Sequence, residues 1–167
     1  MAMNSIEDAK KTANEIKELV DKGTSKNEIR LYHHLMGLVE LEKKDYGRAI
    51  EYFKEAISLL PYQCGLDPFT NDHAIFTESL ALAYYASGDK EKAQEEYEKI
   101  LTMIPGKLYQ GDIYARSLYR LGKIYEEKGW KSKALEDYEK FLKLWKEADS
   151  GFPEKEDARK RLAELEK

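Results

Sequence analysis

The chain has 167 residues, 42% of them hydrophobic and 36% charged, with a net charge of −4 and a single cysteine. That length suits one domain of ordinary size, and the acidic balance argues against a nucleic-acid surface, which would be basic. A lone Cys64 excludes an intrachain disulfide, and no apolar run approaches the roughly 18 residues of a spanning helix. The start carries no apolar signal core, so a cytoplasmic protein without a membrane role is expected.

Ser5 to Lys22 reads as one amphipathic helix, with Ile6, Ala9, Ala13, Ile16 and Leu19-Val20 on a stripe at spacings of three or four. Ser5 with Asp8 resembles a capping box, and Gly23 suits a left-handed C-cap. Ser25-Lys26-Asn27-Glu28 is a clearer capping box and opens a helix to about Lys44. Asp45-Tyr46-Gly47 is read as the turn, followed by a second helix to about Leu60, where Pro61 blocks continuation. The next pair runs from about Asp72 to Ser87, turns at Gly88-Asp89, and returns from Lys90 to Ile104 before Pro105-Gly106. The third runs from about Asp112 to Lys128, turns at Gly129-Trp130, and returns from Lys131 to about Ala148. Ser150-Gly151-Phe152-Pro153 breaks the chain. Pro153 suits the first turn of a last helix, Glu154, Glu156 and Asp157 favour its positive end, and Ala158, Leu162 and Leu165 share a face. No segment alternates with period two, so no sheet is expected.

A fixed spacing recurs in these pairs. Gly37, Ala81 and Gly122 are each followed twelve residues later by an alanine (Ala49, Ala93, Ala134), and four residues after that by an aromatic (Phe53, Tyr97, Tyr138). The small residue is expected to face the alanine so that two helix backbones approach closely, with the aromatics filling the space between hairpins.

In these residues the chain resembles the tetratricopeptide repeat (TPR) family, whose pattern is W-x2-L-G-x2-Y, then A-x3-F, then P over 34 residues. The third repeat reads Leu121-Gly122 to Tyr125 with Ala134 and Tyr138. The second reads Leu80-Ala81 to Tyr84 with Ala93, Tyr97 and Pro105, and the first Met36-Gly37 to Glu40 with Ala49, Phe53 and Pro61. His33, Thr77 and Leu118 fill the tryptophan slot, Glu40 stands where an aromatic is usual, and Lys146 where a proline is. The motif alanines lie further apart than in a tandem array, so about ten and about seven residues are inserted near Gln63–Asp72 and Lys107–Ile113. The resemblance implies an all-α, TPR-like α-solenoid: three helical hairpins between flanking N- and C-terminal helices, eight helices in all. The implied plan is one domain over 1–167, with an N-terminal helix 5–22, repeats 27–61, 72–105 and 112–148, and a capping helix 153–166. Phe141 to Asp149 and Asp157 to Leu162 are also similar to the ends of repeat regions in bacterial multidomain signalling proteins. That likeness would make this chain part of a larger protein.

In that family the first helix of each hairpin lines a concave, partner-binding groove. The matching positions are Leu31, His34 and Leu38, with Leu41 beyond; Ile75, Glu78, Leu82 and Tyr85; and Arg116, Tyr119, Arg120 and Lys123, with Glu126 beyond. They imply a wall that is apolar at one end and basic at the other, suited to a protein or peptide partner with an acidic group near Arg116 and Arg120. Leu31, Leu38, Leu82 and Tyr85 could equally be core, and the three cations a solvated face. Chaperone-binding members hold a carboxylate with five residues. Here those positions are His34, Leu38, Ser79, Arg116 and Arg120, of which only the two arginines match.

Nothing in the chain points to catalysis. His33 and His34 are adjacent and face different ways, His73 lies in another repeat, and with Cys64 they form no zinc spacing. Glu91, Glu95 and Glu96 against Lys92 and Lys99 read as a solvated ion-pair face. No phosphate loop or nucleophile elbow occurs. Tyr109 and Tyr114 flank the second insertion without a packing role in the pattern. The expectation is a non-enzymatic protein-binding module without metal or cofactor, the alternative being a structural module that self-associates into a homo-oligomer.

Overall fold

The computed structural model describes residues 2–60, 72–103, 111–146 and 153–167. Among these residues there are eight α-helices, one short 3-10 turn and no strand. The helices are α1 (Ala2–Lys22), α2 (Ile29–Glu42), α3 (Tyr46–Ser58), α4 (Asp72–Ser87), α5 (Lys90–Thr102), α6 (Gly111–Glu127), α7 (Lys131–Leu144) and α8 (Pro153–Leu165). Cys64, Tyr109, nearly all of the first expected insertion and the first half of the second lie outside the described residues. The chain forms two compact units, Met1–Glu96 and Tyr97–Lys167, divided within α5.

In the N-terminal unit α1 packs on α2, α2 on α3, and α3 on α4. The expected stripe of α1 holds for Ala13 and Val20, which are buried, and in part for Ile6 and Ile16. Leu19 departs from it and is 70% exposed, because a residue next to Val20 is rotated by about 100° around the helix. The expected capping box at Ser25 does not form. A 3-10 turn over Lys26–Glu28 intervenes and the Ser25 side chain makes no capping bond. Lys26 Nζ instead donates to Val20 O and Asp21 O at 3.0 and 2.9 Å, satisfying the last carbonyls of α1.

The hairpin turns share one backbone plan. A left-handed residue precedes the cap: Lys44 at φ 64°, Gly88 at φ 90° and Gly129 at φ 73°. The first turn therefore sits earlier than expected, at Lys44-Asp45, and Gly47 belongs to α3. Asp45 Oδ1 accepts from Arg48 N at 3.2 Å and Asp89 Oδ1 from Lys92 N at 3.1 Å. Trp130 holds the same place before α7 without a side-chain cap. At its other end α7 stops at Leu144, short of the expected end near Ala148, which lies outside the described residues.

At the two glycines of this spacing, the side chain in closest contact is not the alanine. A Cβ on Gly37 would lie 2.5 Å from the ring of Phe53, and one on Gly122 would lie 2.7 Å from the ring of Tyr138. The nearest atoms over each glycine thus belong to the aromatic sixteen residues on, in the same hairpin, and not to the alanine. Both rings and both alanines, Ala49 and Ala134, are fully buried. The glycine is a seat for a ring, and the alanine lets the second helix come close enough to set it there.

Among the described residues of the C-terminal unit, one carboxylate is buried. Asp137 is 8% exposed and its pKa is pushed up to about 6, first by burial and then by Glu136 and Glu98, against the pull of Lys140 and Lys133. A folded-state pKa above the unfolded value near 3.9 means that protonation favours folding, so this group costs stability as pH rises through 6. Asp137→Asn is expected to raise stability by about 1–3 kcal/mol at neutral pH, and the gain should vanish below about pH 4. Thermal melts of both proteins at pH 4 and pH 7.5 check it; equal gains at the two pH values would rule out the titration as cause.

Candidate functional site

Two faces carry the residues that the family pattern places in a groove, one in each unit. In the N-terminal unit Leu31 and Leu38 are exposed, at 37% and 39%. Each borders a cleft against α1. Leu31 lies with Ile16, Leu19 and Val20 in a cleft of about 460 Å³, and Leu38 with Ile6, Ala9 and Leu35 in one of about 350 Å³. Their exposure is therefore that of an apolar seam along α1.

His34 is bound into the structure. Its ring stacks on Phe76 with centroids 4.1 Å apart and planes 12° apart, and Nε2 lies 2.9 Å from Ser79 Oγ. Ser79 Oγ also lies 3.1 Å from Ile75 O, so its hydroxyl links the imidazole to the backbone of α4. His34 thus joins α2 to α4. Ile75, Glu78, Leu82 and Tyr85 on α4 are half-buried.

In the C-terminal unit, α6 presents Arg116, Arg120 and Lys123, all half-buried. Arg116 Nη1 donates to Asp112 Oδ2 at 3.0 Å. The Arg120 guanidinium and the Lys123 ammonium both stand over the ring of Tyr119, 5.6 and 5.7 Å from its centroid. Tyr119 itself is 5% exposed, and its hydroxyl donates to Asp157 Oδ2 of α8 at 2.7 Å. Arg161 Nε donates to the same oxygen at 2.6 Å, Arg161 Nη1 to Glu126 Oε2 at 3.0 Å, and the Tyr138 hydroxyl to Glu126 Oε2 at 2.9 Å. This chain of bonds ties α8 to α6 and α7. Burial works against the charge on Asp157, yet the bonds from Tyr119 and Arg161 hold it below the usual carboxylate range. Burial and the bonds to Asp157 and Glu126 push the Tyr119 and Tyr138 phenols well above theirs.

Sequence reasoning missed this network. Its only local trace is the i, i+4 pair Asp157–Arg161, which on a helix usually reads as surface charge. It also missed a polar cleft lined by Tyr32, His33, Arg48, Glu51, Tyr52 and Glu55, where His33 Nδ1 lies 2.8 Å from Glu55 Oε2. Among the described residues no cluster of three or more His, Cys, Asp or Glu side chains could hold a metal ion. No helix among them is long and apolar enough to cross a membrane.

Known proteins share this helical-repeat fold. Two curated relatives, both named Photosystem I assembly protein Ycf3, from Prochlorococcus marinus strains NATL1A and NATL2A, are 28% identical over 119 residues. That stretch is 71% of this chain, and it spans 60% of each relative's length. Two crystal structures of the TPR-like repeats of a putative kinesin light chain from Podosopora anserina, one of them a point variant, superpose with TM-scores of 0.72 and 0.70 at 16% identity. They cover 98% of this chain and 78% and 79% of theirs, which shows a shared fold. The tetratricopeptide repeat model matches residues 32–61, 78–107 and 115–144, together more than half of the chain and each spanning one ring-on-glycine hairpin or its alanine counterpart. With three matched repeats, two glycine seats and an all-helical fold, the chain belongs to the tetratricopeptide repeat family, whose fold serves protein–protein interaction.

Proposed function

We propose that the chain is a non-enzymatic protein-binding module that engages a partner segment along the first helices of its hairpins, within the cytoplasm, as a scaffold or regulatory part of a larger assembly. The observation that carries this reading is the face of α6, which already receives a carboxylate. Asp157 is bound by the Tyr119 hydroxyl, and Lys123 and Arg161 add to the field that keeps it charged. Arg116 and Arg120 extend the same face, so an acidic group of a partner would meet the same chemistry. Leu31 and Leu38 in the N-terminal unit supply apolar contacts. The relatives' name, an assembly protein, supports a scaffolding role.

Replacing Arg116 and Arg120 together by Glu is expected to weaken binding of a peptide with a free acidic C-terminus at least about tenfold, equivalent to about 1.4 kcal/mol. The melting temperature should stay within a few degrees, because neither side chain is buried and the Arg116–Asp112 pair is a surface contact. Fluorescence anisotropy and a thermal melt on the same samples check both halves. Unchanged binding by the folded double variant would remove the basic face from the site.

A second reading, self-association, is favoured by Leu19, which is 70% exposed at the rim of the apolar cleft with Ile16, Val20 and Leu31. Light scattering of the unmodified protein over a range of concentrations separates the two. A constant monomer mass excludes self-association.

A further inference from the structure

The three hairpins provide an internal comparison at their tips. Asp45, Asp89 and Trp130 occupy one position, four residues before the motif alanine. The backbone there is the same each time, with Ala49 N, Ala93 N and Ala134 N donating to the carbonyl of that residue at 3.0, 3.0 and 3.1 Å. Asp45 and Asp89 also cap the following helix with a side-chain oxygen. Trp130 cannot, and the third hairpin gives up a stabilising cap that the other two keep. Burial does not account for the exchange, since Trp130 remains 45% exposed.

The surroundings of Trp130 show what the exchange provides. Its ring stacks on Tyr125, with centroids 5.7 Å apart and planes 28° apart, and the Tyr125 hydroxyl is anchored to Glu98 Oε1 at 2.7 Å. The Tyr125 side of the stack is thus anchored through its hydroxyl. Lys133 Nζ lies 4.9 Å from the Trp130 centroid and Lys128 Nζ 5.3 Å, and Lys131 is exposed beside them. Of the neighbouring carboxylates, Glu98 is held by Tyr125, Glu136 pairs with Lys140 at 2.7 Å, and Asp137 is buried. Glu127 is also exposed, beside Lys128, and against it the tip of this chain of net charge −4 carries three lysines and an aromatic ring. A position that breaks a local rule kept elsewhere in the same chain, and leaves much of a large aromatic exposed in doing so, is a candidate for function.

We propose that the Trp130 tip is a protein-contact surface distinct from the first-helix faces, and that it takes an acidic segment of a partner protein carrying an aromatic side chain. The exposed part of the indole buries the apolar group, and Lys128, Lys131 and Lys133 attract the carboxylates around it. An anionic bilayer is a poorer match. One ring offers little insertion, and the net acidic chain is repelled by the same surface.

Anisotropy titrations at low salt test the proposal. The probe is a labelled Glu/Asp-rich peptide with one central Phe, compared with the same peptide carrying Ser for Phe or Lys for the acids, and with phosphatidylserine vesicles. The full chain should bind the acidic Phe peptide at least about tenfold more tightly than either control peptide. Trp130→Asp, which restores the residue of the other two tips, should stay folded by circular dichroism and lose that binding about tenfold. The exposed pair Lys131→Glu and Lys133→Glu should weaken it similarly, and Arg116→Glu with Arg120→Glu should leave it unchanged. The proposal is overturned if the unmodified chain does not distinguish the three peptides, if folded Trp130→Asp binds as well as the original, if the lysine pair has no effect, or if Trp130-dependent binding is to vesicles.

Discussion

Gly122→Leu is expected to lower the stability of the C-terminal unit by about 3 kcal/mol or more, and its melting temperature by roughly 10–20 °C. A single Cβ at this position would already lie 2.7 Å from the Tyr138 ring, and leucine adds three carbons beyond it. The ring has nowhere to move. It is fully buried, and its hydroxyl is tied to Glu126 Oε2, which is in turn tied to Arg161. Overpacking must then spread into α7 or part the hairpin. Gly122→Ala is the milder control. It adds only the Cβ and gains about 1 kcal/mol of helix propensity that offsets part of the clash; Ala81 holds the equivalent place in the second repeat. Thermal melts followed at 222 nm give the measurement. A leucine variant that melts within two or three degrees of the original would mean that the ring does not rest on this glycine.

Phe53→Ala probes the same seat from the other side, in the N-terminal unit, with an expected loss of about 3–5 kcal/mol. The ring is fully buried over Gly37, and His34 lies 5.6 Å away by centroid. Removing it leaves a cavity whose floor is a glycine with no side chain to fill it. His34 is in no position to collapse into the space, because it stacks on Phe76 and bonds to Ser79. The loss should therefore sit at the upper end of the range for such truncations. Urea unfolding supplies the number, and the double variant Gly37→Leu with Phe53→Ala sharpens it. If seat and ring are complementary, the leucine that harms the original protein should recover part of the loss when the ring is gone. Additive losses in the double variant would contradict a direct contact between the two positions.

The helices were largely legible in the residues because their signals are local. Asp72 to Ser87 is bounded as the pattern predicts, and the Gly88 and Gly129 turns announce themselves by the need for positive φ. Ser25 misled because a capping box requires only a local match, whereas Lys26 reached back six residues to the end of α1 and reset the start of α2. Lys44 misled because a lysine carries no sign of a left-handed backbone. The glycine spacing signals close packing but does not single out the ring, since distance along a helix does not say which of two buried residues lies over a third. The site was less legible still. The resemblance named the positions on α6, yet Tyr119 meets Asp157 from thirty-eight residues away, and no periodicity encodes that pairing. Trp130 sits at a turn like Asp45 and Asp89, and only the side-chain bonds of the three tips set it apart.

The ring-on-glycine seat also bears on how the chain finds its fold. Each seat closes a loop of only sixteen residues, between helices that are neighbours in sequence. The longer connections of the C-terminal unit, Tyr119 to Asp157 and Glu126 to Arg161, span about twice that distance. Contacts of short sequence separation keep the contact order low, and low contact order goes with fast assembly. A hairpin can therefore test its own seat before anything else in the chain is in place, so the motif that identifies the family also shortens the search each repeat must make.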